Sequence, residues 1–171
     1  MNRAVFFARD GVLNKLIYRD GNYYSPRNIK NFVLYNDAEK VTHAVREKGY
    51  LSIVISNQPD IARGNIKKSL LNKMTKTLLN ELIIDDIFYC IHDDSDLCTC
   101  RKPAPGLLVQ ASEKWNIDLR KSYMVGDTWK DAGAAKNANV KFLLLDREYN
   151  LDCDTQKRIN TLVDIFNFIE G

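Results

Sequence analysis

The sequence has no apolar run near the roughly 20 residues that a membrane-spanning helix requires, so none is expected. Its start, Met1-Asn2-Arg3-Ala4-Val5-Phe6-Phe7, meets Arg9 and Asp10 too soon for a signal peptide, and a cytoplasmic location is expected. There is little excess charge of either sign. Charged residues make up 27% of the chain but cancel to +3, which favours solubility and a mild attraction for anions and argues against a nucleic-acid groove. With only 4 prolines and 8 glycines, the chain shows no Pro/Gly-rich linker, no low-complexity tract and no repeat. The 4 cysteines are too few for a disulfide framework. Three of them lie between Cys90 and Cys100, which points to a metal site in a reducing compartment, and Cys153 stands apart as a spare thiol.

What is present suits one good-sized core: 171 residues, 45% of them hydrophobic, read as a single domain over 1–171. Short apolar runs alternate with segments of helical period. The runs Ala4–Phe7, Leu51–Ile55, Ile87–Tyr89, Tyr123–Val125 and Phe142–Leu145 read as strands, apolar throughout because both faces are covered. Helices are expected near Ala38–Lys48, Lys68–Leu82, Gly106–Trp115 and Ala132–Ala138, with a last one near Thr161–Ile169. Asp37 and Asp131 suit helix caps, Gly49 follows the first helix, and Pro105 suits a first turn. The implied architecture is α/β and Rossmann-like: a doubly wound, mainly parallel sheet of five or more strands with helices on both faces. Residues 15–36, with Asp20-Gly21-Asn22 and Ser25-Pro26, form a loop or flap too short to be a cap domain.

In such a sheet ligands sit beyond the carboxyl ends of the strands. Those ends are polar here: Ala8-Arg9-Asp10-Gly11, Ser56-Asn57-Gln58-Pro59, Arg101-Lys102-Pro103, and Gly126-Asp127-Thr128 followed by Asp131. Singly, each has an ordinary explanation. Asp10-Gly11 suits a hairpin turn, Ser56-Asn57 a turn after a strand, Asp127 and Asp131 helix caps, and Lys102 or Arg63 a solvated charge. The ordered set is what carries the signal.

In order and spacing these segments, with Asp60-Ile61-Ala62-Arg63-Gly64 and Cys100-Arg101-Lys102-Pro103-Ala104-Pro105-Gly106, resemble the haloacid dehalogenase superfamily of aspartate-nucleophile phosphotransferases over most of the chain. Within it they are similar to the heptose bisphosphate phosphatases, with the histidinol-phosphate phosphatases close behind. The resemblance implies Mg²⁺-dependent hydrolysis of a small phosphorylated sugar through an aspartyl-phosphate, and a chain of this size is expected to work as a monomer. It casts Asp10 as general acid and base, Ser56 with Asn57 and nearby amides as the phosphate cradle, and Lys102 as the cation that offsets developing charge. Mg²⁺ would be held by the Asp10 backbone carbonyl and Asp127, with Asp131 orienting that set from behind. Arg63, Arg101 and the flap around Tyr23-Tyr24 are the residues expected to grasp substrate.

The nucleophile position of that pattern falls on residue 8, where aspartate is expected and Ala8 stands. A methyl group cannot attack phosphorus, so the chain is expected to fold and bind but hardly turn over. Retention of Asp10, Ser56, Lys102 and Asp127 points to a substitution made at that one position more than to a natural phosphosugar-binding pseudoenzyme, in which neighbours would have drifted as well.

Cys90-x-His92 and, after five residues, Cys98-x-Cys100 supply three thiolates and one imidazole, a complete tetrahedral set for structural zinc in a loop spanning 90–102. The compact gap resembles the histidinol-phosphate type, whereas Ile61-Ala62-Arg63-Gly64 and Pro105-Gly106-Leu107-Leu108 resemble the heptose type. A zinc-dependent nucleic-acid module or a polynucleotide end phosphatase finds no support in the charge pattern. His43, Trp115 and Trp129 are expected at the surface, in packing or on the rim.

Overall fold

The computed structural model describes residues 1–155 and 157–170. Its strands are β1 (Arg3–Phe7), β2 (Ile17–Arg19), β3 (Asn22–Tyr24), β4 (Tyr50–Asn57), β5 (Asp86–Cys90), β6 (Tyr123–Gly126), β7 (Lys141–Leu145) and β8 (Arg158–Ile159). Its α-helices are α1 (Ala38–Glu47), α2 (Lys68–Glu81), α3 (Gly106–Trp115) and α4 (Trp129–Asn137). Six strands form one parallel sheet in the order β5-β4-β1-β6-β7-β8, and β2 and β3 form a separate antiparallel hairpin.

Alternation along β1 explains why the sheet is covered on both sides. Val5 and Phe7 join the core packed by α1, α2 and the C-terminal turn, through Val41, Val45, Met74, Leu78 and Ile165. Ala4 and Phe6 join the opposite core, built with Leu107, Leu108 and Ala111 of α3 and Ala134 and Ala135 of α4. The chain runs outward from β1 through β4 to β5, then returns to the other flank of β1 as β6. That reversal is the switch point where α/β sheets open a crevice. Register sets its depth: Phe7 lies opposite both Val54 and Val125, so residues 8–10, 56–58 and 126–128 lie along one edge of the sheet.

Several expected details change. The segment near Thr161–Ile169 is a six-residue 3-10 turn, Leu162–Asn167, because Leu162 and Ile165 bury at i, i+3 spacing before the chain has made a full α-helix. The Ala-rich helix starts at Trp129 under a Thr128 cap, with Asp131 as the third helical residue closing a capping box. Asp37 occupies the cap position of α1 without a side-chain cap bond. Strand β8 is two residues long, too short to leave a pattern. The flap contains the β2–β3 hairpin, turned at Asp20 and Gly21 with φ of 51° and 78°, as an Asp-Gly hairpin turn requires. Among the described residues there is no large cap over the sheet edge.

Candidate active site

The strand ends line one open cavity of about 800 Å³ whose walls include Ala8, Ser56, Lys102, Asp127 and the hairpin residue Tyr23. Ala8 continues β1, its amide donating to Val125 O at 2.9 Å, and its methyl is 3% exposed. Ser56, at 3% exposure, accepts from Gln58 Nε2 at 2.9 Å. Asn57 also borders the cavity, but its side chain clamps the main chain of Lys102, accepting from Lys102 N at 3.0 Å and donating to Lys102 O at 3.1 Å. What Asn57 gives this site is the placement of the lysine.

Asp10 is the most heavily bonded carboxylate of the site. Its Oδ1 accepts from Arg9 Nε and Nη2 and from Asn14 Nδ2; its Oδ2 accepts from Arg9 Nη2, Ser25 Oγ and Gln58 Nε2, all at 2.8–3.1 Å. Burial pushes this carboxyl up, but Arg9, Asn14 and Gln58 outweigh it and hold it below the usual range. Asp10 is therefore an anion with both oxygens occupied, and any new contact to it must displace a bond such as that from Ser25 or Gln58. Arg9 is itself 1% exposed, with its guanidinium carbon 5.3 Å from the Phe32 ring centre and 5.8 Å from that of Tyr89. In the sequence Arg9 and Gln58 stand among the polar strand ends without a role, and Ser25 stands only in the flap. The dipeptide Arg9-Asp10 was legible, but no signal in the sequence placed Ser25 and Gln58 against it.

Lys102 Nζ lies 2.5 Å from Asp131 Oδ1 and 3.3 Å from Ile55 O. The other Asp131 oxygen accepts from the amides of Asp127 and Thr128 and from the Thr128 hydroxyl. Asp131 thus anchors both the lysine and the loop that presents Asp127. Lys102 and Asp131 are 6% and 2% exposed, so Lys102→Met would strand a buried carboxylate. The expected loss is about 3–5 kcal/mol, a fall in melting temperature of roughly 10 °C that differential scanning calorimetry would register.

Among the described residues Asp127 forms no ion pair, and the nearby Lys102, bonded to Asp131, only partly offsets its burial. Burial first and then Asp131 push its carboxyl up to about 7. Tyr149 donates to its Oδ2, and burial with that contact pushes the phenol well above its ordinary value, so the hydroxyl keeps its proton. Gly11 runs beside this pair with φ of +83°, and a Cβ there would fall inside the Asp127 carboxylate. Tyr149 was missed at the sequence level because it follows β7, away from every recognised segment.

Arg63 and Arg101 do line the cavity, held by acids of the cysteine loop. Arg63 donates to both Asp93 oxygens at 2.6 Å and holds that carboxyl at about 2; Arg101 Nε donates to Asp94 Oδ1 at 2.6 Å. Of the two flap tyrosines, Tyr23 faces the cavity, whereas Tyr24 packs with Arg19, whose guanidinium lies 5.0 Å from its ring centre. His43 is exposed beside Glu47, Trp115 donates to Asp86, Trp129 is 62% exposed, and Cys153 is a free, half-buried thiol.

Behind Arg101 the ligand atoms of Cys90, His92, Cys98 and Cys100 all lie within 4.8 Å of one another, a group able to hold a metal ion. Burial, then Cys90 and Cys98, push the Cys100 thiol up to about 12; Cys98 is held at about 7 against its own burial by the Arg101 amide and the neighbouring thiols. Three thiolates at this spacing need a cation to ionise together, and the donor set suits zinc.

The sequence pattern of the haloacid dehalogenase-like hydrolases matches residues 12–139. A D-glycero-beta-D-manno-heptose-1,7-bisphosphate 7-phosphatase of Haemophilus ducreyi is 33% identical, over 98% of this chain and 98% of its own. A D-glycero-alpha-D-manno-heptose-1,7-bisphosphate 7-phosphatase of Campylobacter jejuni is 30% identical, over 98% and 96%. Among solved structures, the D,D-heptose 1,7-bisphosphate phosphatase of B. bronchiseptica superposes with a TM-score of 0.83 over 96% of each chain at 21% identity, which shows the shared fold. The chain therefore belongs to the haloacid dehalogenase-like hydrolases, as a member of their phosphatases.

Proposed function

We propose that this chain is the scaffold of a magnesium-dependent heptose bisphosphate phosphatase that hardly turns over because residue 8 is alanine. The observation that carries the reading is the convergence of Ser56, Lys102 and Asp127 on a cavity that the Ala8 methyl also borders. The names and full-length match of the relatives support the substrate class. Restoring aspartate at position 8 tests the reading against heptose bisphosphates, fructose bisphosphate, histidinol phosphate and an aryl phosphate. Phosphate release from none of them would refute it. The five-residue gap between His92 and Cys98 favours histidinol phosphate as the second reading. A third, a natural phosphosugar-binding protein without chemistry, is motivated by Ala8 itself, and aspartate at codon 8 of the source gene would sink it.

In this reading Ser56 and the amides after β4 hold phosphoryl oxygens, and Lys102, fixed by Asp131 and Asn57, balances charge gathering on them. Arg63 and Arg101 are placed to hold the distal part of the sugar phosphate. Asp10, an anion in the resting site, exchanges a bond from Ser25 or Gln58 and takes up a proton from solvent as substrate enters, gives that proton to the leaving ester oxygen, and as the anion again accepts one from the attacking water. Mg²⁺ would be held by Asp127 and the Asp10 carbonyl, and when bound it screens the phosphate's charge. The donors are hard oxygens and fit that ion, one carboxylate short because of Ala8. Zinc in the cysteine cluster would stiffen the loop that carries Arg101 and Lys102. The free cysteines support a reducing, cytoplasmic setting.

A pH consequence follows from Asp127. Its folded value of about 7 lies above the ordinary carboxylate value of 3.8, so between these two pH values the folded state holds a proton that the unfolded state has lost. This group's contribution therefore favours folding at the acid end and fades as pH rises through 7. A bound cation needs the carboxylate, so it must displace that proton. Calorimetric Mg²⁺ titration in buffers of different ionisation enthalpy should show close to one proton released per ion near pH 6 and almost none near pH 8.5. Equal release at both would argue against Asp127 as ligand.

A further inference from the structure

Four consecutive residues after β7 each reach a different part of the site. Arg147 Nε donates to Gly11 O at 2.9 Å. Glu148 Oε2 accepts from the flap hydroxyl of Tyr23 at 2.9 Å. Tyr149 Oη donates to Asp127 Oδ2, and Asn150 Nδ2 donates to Asp127 O at 2.8 Å and to Leu145 O at 2.9 Å. The turn is itself fastened: Arg147 N donates to Asn150 Oδ1 at 3.0 Å, and Arg158 Nη2 donates to Asn150 O at 3.2 Å. Tyr149 is therefore held in place by a built structure, and its ring packs on that of Tyr23 with centroids 4.7 Å apart, tilted by 49°.

One side chain thus touches both the substrate flap and the carboxylate at the end of β6. We propose that Tyr149 is a positioning residue that fixes the direction of the Asp127 carboxylate toward a divalent cation and couples it to the position of the Tyr23 flap. The inference rests on the reading that Asp127 holds the cation. A carboxylate with one oxygen tied by a hydroxyl offers the other along a fixed line, and losing such a partner typically lowers metal affinity about 10- to 100-fold. The coupling runs through ring contact on one side of Tyr149 and the hydroxyl on the other. A flap that swings away from Glu148 takes the Tyr23 ring with it and removes one of the contacts that hold the Tyr149 side chain on Asp127.

The test is Mn²⁺ binding followed by electron paramagnetic resonance, on the full chain preloaded with zinc, both as it stands and with Ala8→Asp. Asp127→Asn checks the underlying reading: affinity should collapse, and unchanged affinity, or no Mn²⁺ binding by either parent, would refute the cation site itself. Tyr149→Phe keeps the ring on Tyr23 and removes only the hydroxyl. It should weaken Mn²⁺ about 10- to 100-fold while the melting temperature stays within a few degrees. Tyr23→Leu leaves the Tyr149 hydroxyl in place but removes the ring contact and the Glu148 bond, and it should weaken Mn²⁺ about 2- to 10-fold. If Asp127→Asn abolishes binding while Tyr149→Phe binds within twofold of its parent, the positioning role is overturned and the cation site stands. If Tyr149→Phe weakens binding and Tyr23→Leu does not, the coupling to the flap is overturned.

Discussion

Ala8→Asp should raise Mg²⁺-dependent phosphate release from a heptose bisphosphate on the order of 10⁴- to 10⁶-fold, the range seen when a nucleophile is removed from an otherwise intact site. That corresponds to roughly 5–8 kcal/mol of barrier. The estimate depends on nothing else in the cavity being able to substitute. Asp10, the nearest carboxylate in sequence, has both oxygens taken by Arg9, Asn14, Ser25 and Gln58. Asp127 belongs to the cation in this account, and Asp131 is locked to Lys102. The course of β1 is already fixed by the Ala8 amide bond to Val125, and the buried methyl borders the cavity into which a longer side chain would extend. A gain under about tenfold in a correctly folded variant would mean that the site lacks something besides its nucleophile.

Stripping metal from the cysteine cluster should have the next largest effect. Structural zinc supplies folding free energy outright, and for a chain of this size a loss of several kcal/mol lowers the melting temperature by about 10 °C or more. The loop leaves β5 at Cys90 and returns to the site at Arg101, so its collapse releases Arg101 and Lys102 together with Asp93 and Asp94, which hold the two arginines. Reduced protein dialysed against a strong chelator should therefore melt earlier and, with aspartate at position 8, lose most activity; both should return with zinc. A melting temperature unchanged within about 2 °C at verified zero metal would count against a structural ion. The thiols sharpen the outcome. With Cys100 pushed up to about 12 and Cys98 held at about 7, chelation should proceed faster as pH falls and protons compete for the sulfurs.

Much of the fold was legible because the determining signals are local. The apolar runs at Ala4–Phe7, Leu51–Ile55 and Tyr123–Val125 sit within observed strands, and the polar residues following them meet at one edge because a parallel sheet aligns its strand ends. Strand β8 and the C-terminal 3-10 turn escaped because two paired residues and one i, i+3 contact leave no periodic trace. In the site, the residue types at strand ends could be read, while their partnerships could not. Asn57 clamps the lysine's main chain, Asp131 serves as the third residue of a capping box and as the lysine's counterion, and Tyr149 reaches Asp127 from beyond β7. Each of these depends on side-chain direction across elements distant in sequence, and sequence spacing does not encode it.

The central claim, that residue 8 is the nucleophile slot of an otherwise complete phosphatase, has one direct measurement. The Ala8→Asp enzyme is mixed with a heptose bisphosphate in a single turnover, quenched in acid within milliseconds, digested and analysed by mass spectrometry. The account predicts one phosphoryl group on the peptide containing residue 8, forming and decaying at rates that match phosphate release. Phosphate release with no phosphoryl group ever appearing on that residue would contradict it.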